Sequence, residues 1–418
     1  MGSVFDIALA TWFIWLPIFS VLIFLDTWFS YIHRLFLDKV NWVVLEVHIP
    51  REIRRGPKAM EQIFATLYNF IGAPDQRVTK YWEGDVLLWF SFEIASFGGE
   101  LHFYIRTPAQ FRNMIEANIY AYYPDLEVRE VEDYISHMPE SVTSLHAANY
   151  EMWGSELELS KEDAYPIRTY PDFDSMDEYS QIDPISSLIE MLSKLQAGEQ
   201  IWLQMLVAPA TDDWKKKGEA LVKKIEKEGK EKTIVGDAEI TTSSRTPGQV
   251  EVMKAIERNI AKPGFQTLIR WVYVAPKAIY NNSVAKSGVP SAFNQYRIQN
   301  LNSFKHNWDV RTDTNWYSFP FLFPKKRLET RRRFMWKKYR ERHMPLASFF
   351  THLTTSKTIA PSVFVLNTEE LATVYHYPSN LVLTGPVIKR VESKKVGAPA
   401  GLPIFKDAES LEGFKEKG

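Results

Sequence analysis

The run from Ile7 to Leu25, IALATWFIWLPIFSVLIFL, carries no charge and constrains the chain more than any other feature. As an α-helix it would extend about 28 Å, close to the thickness of a bilayer's hydrocarbon core. A cleaved signal peptide is one alternative, but Asp6 and no Lys or Arg precede the run, and no small-residue cleavage site follows. A buried helix of a soluble domain is the other. The sequence favours a retained transmembrane anchor, with Trp12, Trp15, Trp28 and Tyr31 at the membrane interface.

The charges around this run predict its orientation. No Lys or Arg precedes it, whereas five follow: Arg34, Lys39, Arg51, Arg54 and Arg55. The positive-inside rule then places everything after the run in the cytoplasm. We therefore predict a single-pass membrane protein with its C-terminal domain in the cytoplasm. The absence of Cys fits a reducing compartment.

After the anchor, the apolar pattern predicts an α+β fold. Val43 to Ile49 alternates as a half-buried strand, and Gly56-Pro57 opens an amphipathic helix. A hairpin follows with its turn at Gly98-Gly99, then a second helix and a short strand from Leu126. This βαββαβ order predicts a ferredoxin-like subdomain over residues 42–135, with one face of its sheet exposed.

A second α/β subdomain is predicted over residues 199–310. Its strands are Ile201–Pro209 and Phe265–Pro276, and the latter runs into a helix at a proline, as the first subdomain does at Thr107-Pro108. That similarity suggests a duplicated fold. The charged helix predicted from Asp213 has lysines alternating with glutamates, which is typical of a solvated face.

The stretch from Asp125 to Asp183 is strongly acidic, with sixteen Asp or Glu against three Lys or Arg. We interpret it as a solvated linker, or alternatively as a partner of a basic segment. The predicted organisation is an anchor with a juxtamembrane helix (1–41), the first subdomain (42–135), an acidic connector (136–198), the second subdomain (199–310), an aromatic and basic segment (311–362), a C-terminal helix region (363–392) and a flexible tail (393–418).

Signatures of catalysis are missing from the sequence. It contains no phosphate-binding P-loop, no dinucleotide-binding glycine motif after a strand, and no metal-ligand spacing among its nine His. The adjacent Glu369 and Glu370 do not share a helix face, and Asn367 with Glu370 fits a capping box instead. We predict no catalytic residue, no metal, no cofactor and no enzymatic activity.

The segment KKRLETRRRFMWKKYRERHM, from Lys325 to Met344, holds ten Lys or Arg against two Glu. As a helix from Leu328 to His343 it would be basic and amphipathic, with Trp336 at a membrane interface. Anionic lipid, nucleic-acid phosphates and the chain's own acidic connector are the three candidate partners. The predicted polyanion-binding residues are Lys325, Lys326, Arg327, Arg331, Arg332, Arg333, Lys337, Lys338, Arg340 and Arg342.

Two stretches carry a resemblance to a known family. LNTEELATVYHYP, from Leu366 to Pro378, resembles the segment that leads into the ATPase domain of conjugative, type IV secretion coupling proteins and related DNA-translocating ATPases. PREIRRGPKAMEQIFATLYNF and the SFEIASFGGELHFYIRTPAQF block resemble the membrane-proximal domain found upstream of such ATPases. The resemblance spans Val43 to Ile404, and the sequence stops where the nucleotide-binding domain would begin, so it transfers no ATPase residue.

The resemblance implies a non-catalytic accessory subunit of a DNA or protein translocation machinery, anchored in the bacterial cytoplasmic (inner) membrane with its domain in the cytoplasm. Its expected partners are the membrane, a separately encoded P-loop ATPase, nucleic acid and further copies of the chain. The alternative is a structural scaffold that binds anionic lipid through the basic segment. Co-purification of an ATPase favours the first function, and lipid-dependent self-assembly without a motor favours the second.

Overall fold

A computed structural model of the chain describes residues 11–50, 55–70, 84–173, 182–228, 230–235, 238–243, 246–314, 321–345 and 362–378. The predicted tail at 393–418 and residues 379–392 lie outside this part. The helices are α1 (Trp12–Lys39), α2 (Pro57–Leu67), α3 (Arg112–Tyr122), α4 (Val142–Ala147), α5 (Ser186–Ser193), α6 (Asp213–Glu228), α7 (Pro247–Ile260), α8 (Val289–Phe293), α9 (Pro324–Arg340) and α10 (Thr368–Val374). The strands are β1 (Trp42–His48), β2 (Phe90–Phe97), β3 (Glu100–Pro108), β4 (Glu127–Val131), β5 (Tyr150–Leu159), β6 (Gln200–Pro209), β7 (Lys230–Val235), β8 (Ala238–Ser243), β9 (Gly264–Pro276), β10 (Phe304–His306) and β11 (Phe364–Asn367).

Helix α1 is long and apolar enough to cross a membrane, and none of its apolar window is buried by the rest of the protein. Pro17 lies inside it. The end of α1 differs, because Ile32 is buried and Leu37 packs on the folded domain. The sequence correctly predicted a helix here that suits a bilayer.

Nine strands form one antiparallel sheet in the order β10-β5-β9-β6-β2-β3-β1-β4, with β11 pairing to the start of β9. β2 and β6 pair at its centre along their whole lengths, from Phe90↔Val207 to Phe97↔Gln200. The four strands β1–β4 form one half, and β5, β6, β9 and β10 form the other. From the centre outward, each half places its second, third, first and fourth strand in that order.

The predicted turn at Gly98-Gly99 is confirmed. Both residues have positive φ, 60° and 93°, which a glycine adopts without the penalty that a side chain would bring. The turn joins β2 to β3. The corresponding connection in the second half, from β6 to β9, contains instead α6, the hairpin β7–β8 and α7. We call these elements the arm (residues 213–260).

Helices cover one face of the sheet. Apolar side chains of α2, α3, α5, α8 and α10 join alternate strand residues such as Phe92, Phe103, Leu203 and Trp271 in one large core. The opposite face is covered as well, because α9 and the segment around Tyr134 to Leu145 pack over Tyr104, Trp202 and Val272. The prediction of an exposed sheet face was therefore wrong.

The predicted acidic connector (136–198) was also wrong in part. Tyr150–Leu159 lies inside this range and forms β5, which pairs with both β9 and β10 within the sheet. The stretch reads YEMWGSELEL, and its alternation places Trp153 and Leu157 in the core, while Glu156 and Glu158 lie on the opposite face of the strand. A count of charges over a long window hid this two-residue period.

Helix α1 meets the domain at one end of the central strands of the sheet. Leu37 and Trp42 pack there with strand-end side chains, which are Leu87, Trp89, Leu206, Ala208 and Leu268, and with Val363 and Met344. The Trp42 and Trp89 rings lie 5.4 Å apart. We call this end of the strands the anchor edge. The Gly98-Gly99 turn lies at the opposite end of the strands, which we call the far edge.

Candidate functional site: the basic helix and the polar row beneath it

Helix α9, which contains most of the basic segment, is docked on the sheet by its own apolar residues. Met335, Trp336 and Tyr339 are all buried. The Trp336 ring lies 5.9 Å from that of Trp202, and its indole N–H donates to the carbonyl of Pro139 at 3.1 Å. A Cβ at Gly154 would come within 2.7 Å of Met335 Cγ, so that glycine lets the helix approach β5.

The C-terminal end of α9 adopts an uncommon cap. The His343 N–H donates to the Lys338 carbonyl at 3.0 Å, and the Arg342 N–H donates to that of Tyr339 at 3.1 Å. This is the Schellman pattern, whose left-handed position is usually a glycine. Here Arg342 occupies it with φ 46°. An L-residue in this conformation costs about 1–2 kcal/mol, so other contacts must hold Arg342 in place.

Those contacts are two carboxylates under the helix. Arg342 Nε donates to Glu93 Oε1 at 2.9 Å, and Nη2 donates to Glu93 Oε2 at 3.2 Å and to Asp133 Oδ1 at 2.9 Å. The Tyr134 hydroxyl donates to Glu93 Oε2 at 2.7 Å, and Ser91 donates to Oε1 at 2.5 Å. Although burial opposes it, Glu93 and Asp133 raise the pKa of Arg342 well above its usual value.

Glu93 belongs to a row of polar residues that crosses the sheet at one level. Strand register pairs each member with the next: Glu46, Tyr104, Glu93, Gln204, Arg270 and Glu156. We call this set the polar row. The last turn of α9 lies over it, because Gln204 donates to the Tyr339 carbonyl at 3.0 Å and Arg270 donates to those of Lys338 and His343 at 2.7 and 2.8 Å. The row thereby satisfies carbonyls that a helix end leaves unpaired.

Burial also shifts the titration of the groups around Arg270. Its Nε lies 3.4 Å from Glu156 Oε1, with both side chains almost fully buried. Burial raises the pKa of Glu156 and lowers those of Arg270 and Lys338. Burial, together with Arg270 and Lys338, lowers the pKa of His343 to about 4. Because Glu93, Gln204, Arg270 and Glu156 have no exposed surface, this arrangement acts as an internal support for α9.

The ten predicted polyanion-binding residues separate into two sets. Lys325, Lys326, Arg333 and Lys337 are exposed, whereas Arg327, Arg331, Arg332, Lys338 and Arg340 are half-buried and Arg342 is buried. The second set has intramolecular partners. Arg331 donates to the carbonyls of Arg311 and Asp313, Arg332 pairs with Glu151 at 3.0 Å, and Arg340 donates to the carbonyls of Ile135 and Met138.

Two sequence predictions fail at this helix. Trp336 is 1% exposed, so its indole contacts Trp202 and Pro139 in place of a membrane interface. Arg342 is equally buried, and its guanidinium is occupied by Glu93 and Asp133. The alternative that the basic segment pairs with the chain's own acidic stretch holds for Arg332 with Glu151 and for Arg342 with Asp133, since both acids lie between Asp125 and Asp183.

The predicted membrane-interface residues of α1 are on the helix surface. Trp12 and Tyr31 are exposed, and Trp28 is half-buried with its ring 6.4 Å from that of Tyr31. The side chain of Trp15 lies outside the described part of the structure. The described three therefore remain available to a bilayer.

A second charged cluster fixes β11 and α10 against the helical layer. Lys262 bridges Glu61 at 2.6 Å and Glu369, and Arg258 adds a contact to Glu369 at 3.2 Å. The predicted capping box is confirmed, since Asn367 and Glu370 each accept from the other's backbone N–H. Burial raises the pKa of Glu370 to about 8. The predicted NTEELA helix is thus an internal element of the fold.

Sequence reasoning missed Glu93, Gln204 and Arg270. A signal was present, because Glu93 and Arg270 are lone opposite charges inside otherwise apolar strands, SFEIAS and TLIRWVY. A buried charge is stable only when it is paired, so each of these strands predicts a partner of opposite charge elsewhere in the fold. The sequence analysis interpreted the lysines of α6, which are exposed, as a solvated face without a binding role.

Within the described residues, no group of three or more His, Asp or Glu is placed to hold a metal ion. No curated protein matches the sequence. A family described as a domain of unknown function, DUF8128, matches residues 76–389, which cover the polar row except Glu46, and also the arm, α9 and α10. Because that match spans most of the chain, the protein belongs to the DUF8128 family.

Proposed function

We propose that the protein is a non-catalytic, membrane-anchored accessory subunit that presents a rigid domain to a translocation motor in the bacterial cytoplasm. The observation that best supports this proposal is the packed junction between α1 and the domain at the anchor edge. Ile32 is buried, and Gly84 approaches its backbone so closely that a Cβ would lie 2.4 Å from the Ile32 carbonyl oxygen. A flexible tether leaves a domain free to rotate, whereas this junction fixes the domain relative to α1.

The internal use of the charged residues supports a non-catalytic role. Glu93, Arg270 and Glu156 are the kinds of group that catalysis uses, but they are buried in ion pairs beneath α9. A catalytic group has to reach its substrate within hydrogen-bond distance. A domain whose polar row stabilises its own helix is better suited to docking.

The motor is proposed from the resemblance to type IV secretion coupling proteins. In one of the stretches that carry this resemblance, Leu366 to Pro378, the side chains are buried, so the resemblance supports a common fold in this segment. We further infer a duplicated ferredoxin-like architecture, because β1–β4 and the set β5, β6, β9, β10 have the same antiparallel strand order. In this arrangement the far edge faces away from the membrane and meets the motor.

A membrane scaffold is the alternative function, favoured by the exposed cations of α9 and α6. Single-cysteine crosslinking separates the two functions, since the chain has no native Cys. The test variant is Ile279→Cys at the far edge, and Asp212→Cys at the anchor edge is its matched control. We expect a P-loop ATPase to be crosslinked in membranes from the first position and not from the second.

Self-association in anionic lipid without any crosslinked ATPase would instead support the scaffold. A reporter fused after Gly418 tests the orientation, and a signal from outside the membrane would refute it. Saturable nucleotide binding by the chain alone, lost on mutation of a discrete site, would contradict a non-catalytic subunit.

A further inference from the structure

The arm leaves the domain next to the membrane helix. Leu206 and Ala208, near the end of β6, pack in the same cluster as Leu37 of α1. The arm begins five residues after Ala208, and the Ala210 carbonyl accepts from the Tyr68 hydroxyl at 3.3 Å. The arm therefore starts at the anchor edge, where α1 also joins the fold.

The base of the arm is packed tightly. A Cβ at Gly264 would lie 2.5 Å from the Trp214 ring, and one at Gly218 would lie 2.5 Å from Ile260. These two glycines let α6 approach the start of β9 and the end of α7. Beyond the base, the apolar row of α6 packs on α7, with Leu221 and Ile256 in one cluster. The position of α6 at the anchor edge is therefore fixed by packing.

The lysines of α6 are segregated on the face opposite this packing. The inward row is Trp214, Gly218, Leu221 and Ile225, and the outward row is Lys216, Lys223 and Lys227. At about 100° per residue, a position two after an inward one points away from it. Of the other charged residues, Lys217 and Lys224 lie on one flank, and Lys215 lies on the other flank with Glu219 and Glu226. The description as alternating charges holds along the sequence and not around the helix.

We propose that this lysine face of α6 binds the anionic headgroups of the membrane that α1 enters. Lysines near an anionic surface are attracted to it within about one Debye length, roughly 8 Å at physiological salt. Such weak contacts become effective when a second attachment holds them near the surface, and α1 supplies that attachment. The inference rests on the proposed membrane anchorage, and it assigns a lipid contact to a helix outside the basic segment.

The opposite placement of α9 supports this choice. Its C-terminal end reaches the anchor edge through Met344, so its exposed Lys325 and Lys326 lie about 25 Å away along the helix. By the same measure, Lys216 lies within one turn of the start of α6 at the anchor edge, so α6 brings a lysine closer to α1 than Lys325 and Lys326 of α9 do.

The test uses full-length protein in lipid nanodiscs with or without phosphatidylglycerol. Ala220 is exposed among the lysines of α6, so Ala220→Cys carries a fluorophore there, and Thr330→Cys carries one on α9 as the control. The readout is quenching by a spin label on lipid headgroups. We expect phosphatidylglycerol to raise quenching at position 220 by about twofold, an effect lost at high salt, with no change at position 330.

Charge reversal completes the design. Lys216, Lys223 and Lys227 changed together to Glu should abolish the lipid dependence at position 220. The matched change of Lys325, Lys326 and Arg333 to Glu on α9 should leave it intact. Equal quenching in both lipids overturns the inference while leaving the anchorage in place. Failure of the protein to remain in the membrane after alkaline extraction refutes the anchorage and this inference together.

Discussion

The two basic helices, α9 and α6, use their positive charge in opposite ways. Four arginines of the basic segment, Arg331, Arg332, Arg340 and Arg342, make contacts within the protein, whereas all six lysines of α6 are exposed. The side-chain type explains the difference. A planar guanidinium satisfies carboxylates and several carbonyls at once, while a lysine ammonium is a strongly hydrated point charge. The density of positive charge along a sequence is therefore a poor guide to which cations remain exposed to solvent.

Arg342→Ala breaks this comparison most severely. It removes the partner of buried Glu93 and half-exposed Asp133, and a broken buried ion pair costs about 4 kcal/mol. Unfolding of the full chain in detergent, followed by circular dichroism, measures the change. Arg333→Ala on the exposed side of α9 is the control and should change little. Equal effects of the two would mean that α9 is not docked through Arg342.

Trp336→Ala tests the apolar side of the same docking. The indole packs on Trp202 in the interior, so its removal should cost about 3 kcal/mol through lost burial and a cavity. Phe334→Ala, a change on the exposed side of α9, should cost much less. Wild-type stability for Trp336→Ala, combined with weaker binding to anionic vesicles, would restore the membrane-interface interpretation.

Acid should loosen α9 and leave α6 unaffected. The pKa of His343 is lowered to about 4, so the folded state binds fewer protons than the unfolded state between that value and about 6.5. The stabilisation is complete above pH 6.5 and is lost as the pH falls toward 4, by about 3 kcal/mol. Glu156 and Glu370 act in the opposite sense because burial raises their pKa values.

The measurement is therefore the difference between wild type and His343→Gln across this pH range. The variant should lose less stability on acidification. Parallel pH profiles for the two proteins would show that His343 does not contribute.

Lys223→Glu on α6 should have the smallest effect on folding. The side chain is exposed, and such substitutions change stability little, so the melting temperature should move by less than about 2 °C. Differential scanning fluorimetry in neutral detergent is sufficient. A shift as large as that of Trp336→Ala would place Lys223 in a structural role and undermine its assignment to lipid.

The elements of the first half were predictable because each has a local signal. Val43–Ile49 alternates, Gly98-Gly99 demands a turn, and Pro57 starts a helix. The pairing of β2 with β6 had no such signal, because those strands are more than a hundred residues apart and both are buried along almost their whole lengths. A strand that is buried on both faces does not show by its own sequence which strand is its neighbour.

The candidate site was predictable only as a helix. The pattern Met335, Trp336, Tyr339 correctly indicated an apolar side, but a helix with such a side fits a membrane surface and a protein surface equally well. The protein surface is decided by the carboxylates of Glu93 and Asp133, which accept hydrogen bonds from Arg342. Both lie far from Arg342 in the sequence, by 249 and 209 residues. For α6, the spacing in the sequence shows which lysines share a face of the helix. It does not show that the helix starts close to α1.

The position of β11 has a consequence for how the protein is made. β11 and α10, from Phe364 to Val374, fill the helical side of the core and pair with β9. During synthesis α1 emerges first, and more than three hundred residues follow before this closing segment is available. At roughly 5–20 residues per second that interval is on the order of tens of seconds. A nascent chain must therefore wait over this interval with an open core whose apolar surface is not yet covered.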